Sequence, residues 1–95
     1  MAQNTTITCL AGQWTQLTDA DIAAARVQNW GRFDIWLQAT ADATEPSGID
    51  GSVVLAGGSI LMSDVTLADL YPGVASPARL WVYAANTVEV SVSHA

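Results

Sequence analysis

The chain closes on "TVEVSVSHA" (87–95), where Val88, Val90 and Val92 share one phase of a two-residue repeat and Glu89, Ser91 and Ser93 share the other. Successive side chains of a strand point to opposite faces, so this segment reads as a strand with one buried and one wet face. The same period recurs in "TTITCL" (5–10), "QWTQLT" (13–18), "ARVQNW" (25–30) and "RLWVYA" (79–84). Helical signals are confined to single turns. In "TDADIAAA" (18–25), Thr18 or Asp19 stands where it caps a turn, and we read 18–22 as a turn or one helical turn. "LADLYPGVASPA" (67–78) holds one helical turn, stopped by Pro72 and Gly73. Short strands with turn signals every 8–12 residues predict an all-β fold: a small antiparallel β-sandwich or jelly-roll-like barrel of about 7–8 strands with one short helical turn. With 95 residues there is room for a single domain, 1–95.

Two segments read as tight hairpins. In "VQNWGRFDIWLQAT" (27–40), a three-residue loop at 30–32 pairs Asn29 with Phe33 and Val27 with Ile35, and sets Arg26 opposite Trp36. This register gathers Ala25, Val27, Phe33, Ile35 and Leu37 on one face, which burial favours over a two-residue loop. In "SVVLAGGSILMS" (52–63), Gly57-Gly58 splits two apolar runs, a second hairpin signal. Between the two, "ADATEPSGIDG" (41–51) is a loop by composition.

Charge narrows the function. Nine Asp and Glu stand against three Arg (Arg26, Arg32, Arg79) and no Lys, a net charge of −6. Nucleic-acid binding needs a basic stripe to neutralise phosphates, and an anionic membrane would repel this chain, so neither partner is expected. Only 13% of residues are charged while 51% are apolar. So few charges cover a monomer poorly, and part of the surface is expected to meet another protein. A lone cysteine, Cys9, excludes an internal disulfide and reads as a small buried apolar residue. One Cys and one His cannot build the usual four-ligand zinc cage. The start "MAQNTTITCLAGQW" lacks the basic and apolar regions of a signal peptide, and no run reaches the roughly 18 apolar residues of a membrane span. The expected setting is a cytoplasm, or an assembly built there.

No constellation for catalysis emerges. His94 stands one residue from the end, where chains fray, and reads as a surface histidine. Gly57-Gly58 lacks the Lys and Ser/Thr of a phosphate loop. No carboxylate pair is spaced across a cleft. The chain is therefore read as a non-enzyme without a cofactor. Asp42, Glu45 and Asp50 are weak candidates for a calcium loop, because calcium favours oxygen-rich loops, yet the EF-hand spacing is missing. A solvated acidic loop is the plainer reading.

The aromatic residues carry more. Trp36 shares its phase with Asp34, Gln38 and Thr40, opposite Ile35 and Leu37. Trp81 and Tyr83 alternate in the same way against Leu80 and Val82. Two strands thus pair an apolar core face with an aromatic second face. Trp14, in an early strand, reads as core, and Trp30 lies in the first turn. Three readings of the second face compete: a subunit or partner interface, where Trp, Tyr and Arg bury much area at small entropy cost; ordinary core at a curling sheet; or a platform on which sugar rings stack. Low charge tips the balance to an interface built on Arg26, Trp36, Trp81 and Tyr83.

Taken together, "VQNWGRFDIWLQAT", "LADLYPGV" and "RLWVYAANTVEVSVSHA" resemble small virion structural proteins of tailed bacteriophages. The resemblance covers roughly residues 23–40 and 66–95 and contains no chemically diagnostic residue. It implies a β-sandwich present in many copies on a capsid or tail, often as trimers. The expectation is a head decoration or cement protein that binds the major capsid protein, or other virion proteins, after assembly in a bacterial cytoplasm. A glycan-reading module on a tail or fibre is the alternative.

Overall fold

The structure, a computed structural model, describes residues 2–95. It contains the strands β1 (Gln3–Cys9), β2 (Trp14–Gln16), β3 (Arg26–Asn29), β4 (Ile35–Thr40), β5 (Val53–Leu55), β6 (Ile60–Leu61), β7 (Arg79–Ala84) and β8 (Val88–His94), with one helical turn, α1 (Leu67–Leu70). Thr66 caps α1, its hydroxyl accepting from the Asp69 N–H at 3.1 Å. No helix forms over 18–22, which follows a bend instead.

The strands build two antiparallel sheets, β1-β8-β3-β6 (sheet A) and β2-β7-β4-β5 (sheet B). The first strand pairs with the last, the second with the seventh, the third with the sixth and the fourth with the fifth. This is one long hairpin rolled until β3 also meets β8 and β4 also meets β7. The all-β expectation holds, and the strand order is that of a jelly roll. Inward-facing Val27, Val90 and Val92 of sheet A meet Ile35, Leu37, Leu80 and Val82 of sheet B in the core, each essentially inaccessible to solvent. Leu17 and Leu67, both outside the strands, are buried in the same core, and the Tyr71 hydroxyl donates to the Leu37 carbonyl at 2.6 Å.

The expected hairpins do not exist. β3 and β4 lie in different sheets, so 30–34 is a crossover between layers rather than a turn within one. Val27 faces Val92 and Leu61, not Ile35, and Arg26 faces Ser93, not Trp36. β5 and β6 part in the same way around Gly57-Gly58. The reason lies in Asn29, which is fully buried. Its amide donates to the carbonyls of Phe33 (2.7 Å) and Leu55 (3.1 Å), and its oxygen accepts from the Gly31 N–H (2.8 Å). Its backbone bonds Ser59 and Gly58. One side chain thereby satisfies both crossovers and holds them side by side. They touch so closely that a Cβ on Gly57 would lie 2.5 Å from the Arg32 carbonyl carbon.

Two weak acids are also buried. Burial pushes the Cys9 thiol up to about 11 and the Tyr71 phenol up to about 12. In each case the neutral form is favoured in the fold, so the native state holds its proton above the pH at which the unfolded chain loses it. Stability is then complete below about pH 9 and falls as pH rises towards 12. Replacing Cys9 with Ala is expected to flatten the early part of that fall, between about pH 9 and 11, in denaturant titrations across pH. An unchanged slope would show that Cys9 plays no part.

Removing the buried amide is expected to be severe. Asn29→Ala strands two carbonyls and one N–H, at about 1–3 kcal/mol each, for a loss of about 3–9 kcal/mol. At ~4–8 °C per kcal/mol in a domain of this size, the melting point should fall by at least roughly 12 °C. Gln28→Ala, on the neighbouring half-exposed site, should cost under about 1 kcal/mol. Equal losses in the two variants would refute the role given to Asn29.

Candidate functional site: the outer face of sheet B

Register sets the face. Trp14 stands beside Tyr83, Tyr83 beside Trp36, and Trp36 beside Val54, one residue from each strand of sheet B in order. All four point away from the core, because their neighbours Leu37, Val82 and Leu55 point into it. A second row runs through Gln16, Trp81 and Gln38. The rings pack edge to face: Trp14 and Tyr83 have centroids 5.6 Å apart at 58°, and Trp36 and Tyr83 are 6.1 Å apart at 65°. Such tilted pairs are favourable through their quadrupoles and hold one another in place.

Electrostatically the face is neutral. Neither row contains a charged residue. Arg79, at the end of β7 beyond the two rows, is engaged with Asp21 at 2.9 Å. Three donors of the second row are committed within the chain. The Gln16 amide donates to the Thr18 carbonyl and the Gln38 amide to the Asp50 carbonyl. The Trp81 indole N–H donates to the Thr40 hydroxyl at 2.8 Å. Trp14, Trp36 and Tyr83 are half-buried, and Val54 is 53% exposed.

The structure divides the four residues expected to form an interface. Trp36 and Tyr83 lie together at the centre of the face. Trp81 belongs to the same face but is only 7% exposed, so it supports the surface from within. Arg26 is on the other layer, where its guanidinium donates to the Ser91 hydroxyl at 3.0 Å, and no stacking on Trp36 occurs. Two residues of the face were missed, Trp14 and Val54. Trp14 was legible: Leu17 is a core residue, so Trp14, on the opposite phase of the alternation, had to point outward.

Elsewhere, the acidic loop does not converge. Among the described residues, no three His, Cys, Asp or Glu side chains cluster to hold a metal. The Asp42 carboxylate accepts the Thr44 N–H at 2.9 Å, and this hydrogen bond holds its pKa below the usual range. Glu45 and Asp50 line an open depression with it rather than a cage. His94 is not the frayed surface residue expected. It is buried at the end of β8, its Nε2 3.0 Å from the Gln3 amide oxygen, because β1 pairs along the whole of β8. Cys9 is buried, as its alternation implied.

The chain matches no protein-family model, and no curated protein or solved structure is significantly similar to it.

Trp36 and Trp81 should therefore behave differently. Trp81→Ala removes a buried ring and a hydrogen bond and should cost about 3–5 kcal/mol, whereas Trp36→Ala should cost about 1–2 kcal/mol because its ring is only partly buried. Urea titration measures both. A Trp36→Ala loss as large as that of Trp81→Ala would place Trp36 in the core.

Proposed function

We propose that the chain is a non-enzymatic assembly protein that docks through the outer face of sheet B. Its specific role in this reading is that of a capsid decoration or cement protein of a tailed phage, bound in many copies to the major capsid protein or another virion protein. The observation that carries the reading is the Trp14–Tyr83–Trp36 ladder, an uncharged aromatic surface on a chain of net charge −6. Aromatic rings already fixed by their neighbours bury area against a partner with little further loss of entropy. The carboxylates lie almost entirely in loops, with Glu89 the only acidic strand residue. They form a polar rim around neutral faces, the arrangement typical of protein interfaces. Jelly rolls serve in virus shells and in lectins alike, so the fold supports this reading without selecting it.

Mechanically, such a protein works by number. Each contact is modest, but a copy that bridges neighbouring shell subunits binds through two sites at once, and the second is gained at high effective concentration. Sugar recognition is less well served. A stacking platform is best served by rings that share a plane and by nearby amide donors, whereas these rings stand at 58° and 65° to one another and the Gln16 and Gln38 amides are engaged.

The protein should be found in purified phage particles by quantitative mass spectrometry, at a copy number commensurate with the shell. Trp36→Ala, with its fold intact, should lose at least about 2 kcal/mol of binding in cosedimentation with empty capsids, roughly 30-fold in Kd. Absence from particles would sink the virion role. Full capsid binding by Trp36→Ala would remove the aromatic face from it, and a glycan-dependent change in tryptophan fluorescence would favour the lectin alternative.

A further inference from the structure

The edges of the two sheets are unequal. β6, β2 and β5 are edge strands of two or three residues, too short to template another chain. β1 is the exception. It spans seven residues, Gln3–Cys9, and pairs with β8 one-to-one throughout, without a bulge. Its other side has no strand beside it. Proteins usually protect such an edge with Lys, Pro or a bulge, and "QNTTITC" has none of these and no charge.

The edge is also open from beneath. Odd-numbered residues of β1 point inward, as Cys9 shows by its complete burial. Yet Thr5 is exposed and Ile7 only half-buried. Sheet B offers β2 as its corresponding edge strand, and β2 has three residues against seven. The inner face of β1 is therefore incompletely covered by the chain's own residues.

We propose that β1 pairs antiparallel with β1 of a second copy, about a two-fold axis at Thr6, joining the two A sheets into one continuous eight-stranded sheet. The sequence is self-complementary in this register. On the outer face Thr6 meets Thr6 and Asn4 meets Thr8. On the inner face Thr5 meets Ile7 and Gln3 meets Cys9. Hydroxyl and amide side chains pair well across antiparallel strands, and no like charges meet. A residue on the axis is compatible with either hydrogen-bonding phase of the edge, so the alignment does not depend on which β1 groups face outward. A second copy is favoured over a foreign strand because the two-fold contact closes both open edges at once and leaves none to propagate. With nine carboxylates per chain, two copies also repel over most approaches. Glu89, the nearest acid, lies one strand back and accepts the Thr8 hydroxyl at 2.8 Å. This contact is independent of the aromatic face of sheet B, and its symmetry differs from the trimer that the resemblance implies.

Light scattering on the full chain should give about twice the 10.0 kDa mass of one chain. Thr6→Lys, which sets two ammonium groups face to face on the axis, should return it to one chain with an unchanged circular dichroism spectrum. Thr6→Cys should form an intermolecular disulfide in air, because residues paired across the axis have Cβ atoms about 4.5–5.5 Å apart. Asn4→Cys should not, because the two Asn4 positions then lie four residues out of step. A wild-type monomer at every concentration would overturn the proposal, as would a trimer. So would a dimer that survives Thr6→Lys but is lost in Trp36→Ala, or cross-linking of Asn4→Cys as readily as Thr6→Cys. Capsid binding retained by the Thr6→Lys monomer would leave the docking role of sheet B standing while separating it from self-association.

Discussion

Asn29 sits where the strands of a rolled hairpin must leave one sheet for the other. Every such fold has this difficulty: backbone groups at a crossover have no ladder to join, yet they lie over the core. Here one amide supplies the missing partners for Gly31, Phe33 and Leu55. Gly57 then lets the second crossover press directly on Arg32. With both crossovers tied to one buried side chain, β4 and β5 are fixed in sheet B while β3 and β6 are fixed in sheet A. The central position of Trp36 on the outer face follows from that division, since β4 lies between β7 and β5 only because it is not the partner of β3.

The same topology has a kinetic consequence. β1 pairs with β8, so the longest ladder joins the two ends of the chain. Closing that loop costs entropy before any contact repays it, and folds dominated by distant pairings are accordingly slow. Until β8 is in place, β1 is an unpaired strand on both sides. A strand without charge or proline is an association hazard in that interval. Pairing of that edge with a second copy, as proposed, would remove the hazard in the folded state.

How much of this could be read beforehand differs by level. Strand segments and their buried phases were legible, because period two states which residues share a face: Val88, Val90 and Val92, or Leu80 and Val82, needed no partner to be assigned inward. That Trp36 points outward was legible for the same reason. What alternation cannot state is which strand lies alongside. "NWGRF" carries the residues of a tight turn and serves as a crossover, and the difference rests on where the Asn29 amide finds acceptors, one of them 26 residues away. Arg26 was misplaced beside Trp36 through that one error of pairing. Trp81 was rightly set on the outer face, but how deeply it lies depends on Thr40 and its neighbouring strands.

Charge placement joins the face and the edge. A net charge of −6 on so small a domain should keep copies apart, and a uniform spread of carboxylates would do so. Instead all but one of them lie outside the strands, leaving the aromatic rows of sheet B and the edge of β1 without a carboxylate. In the proposed contacts, apolar burial would drive association at the first and backbone hydrogen bonding at the second. The two surfaces belong to different sheets, so occupying one does not consume the other. A protein with both can meet its own copy along the edge and a different partner on the face. Repulsion among the loop carboxylates then favours only those approaches that bring neutral surfaces together. In the two proposed contacts the charges would select between approaches, while rings and strand edges would supply the strength.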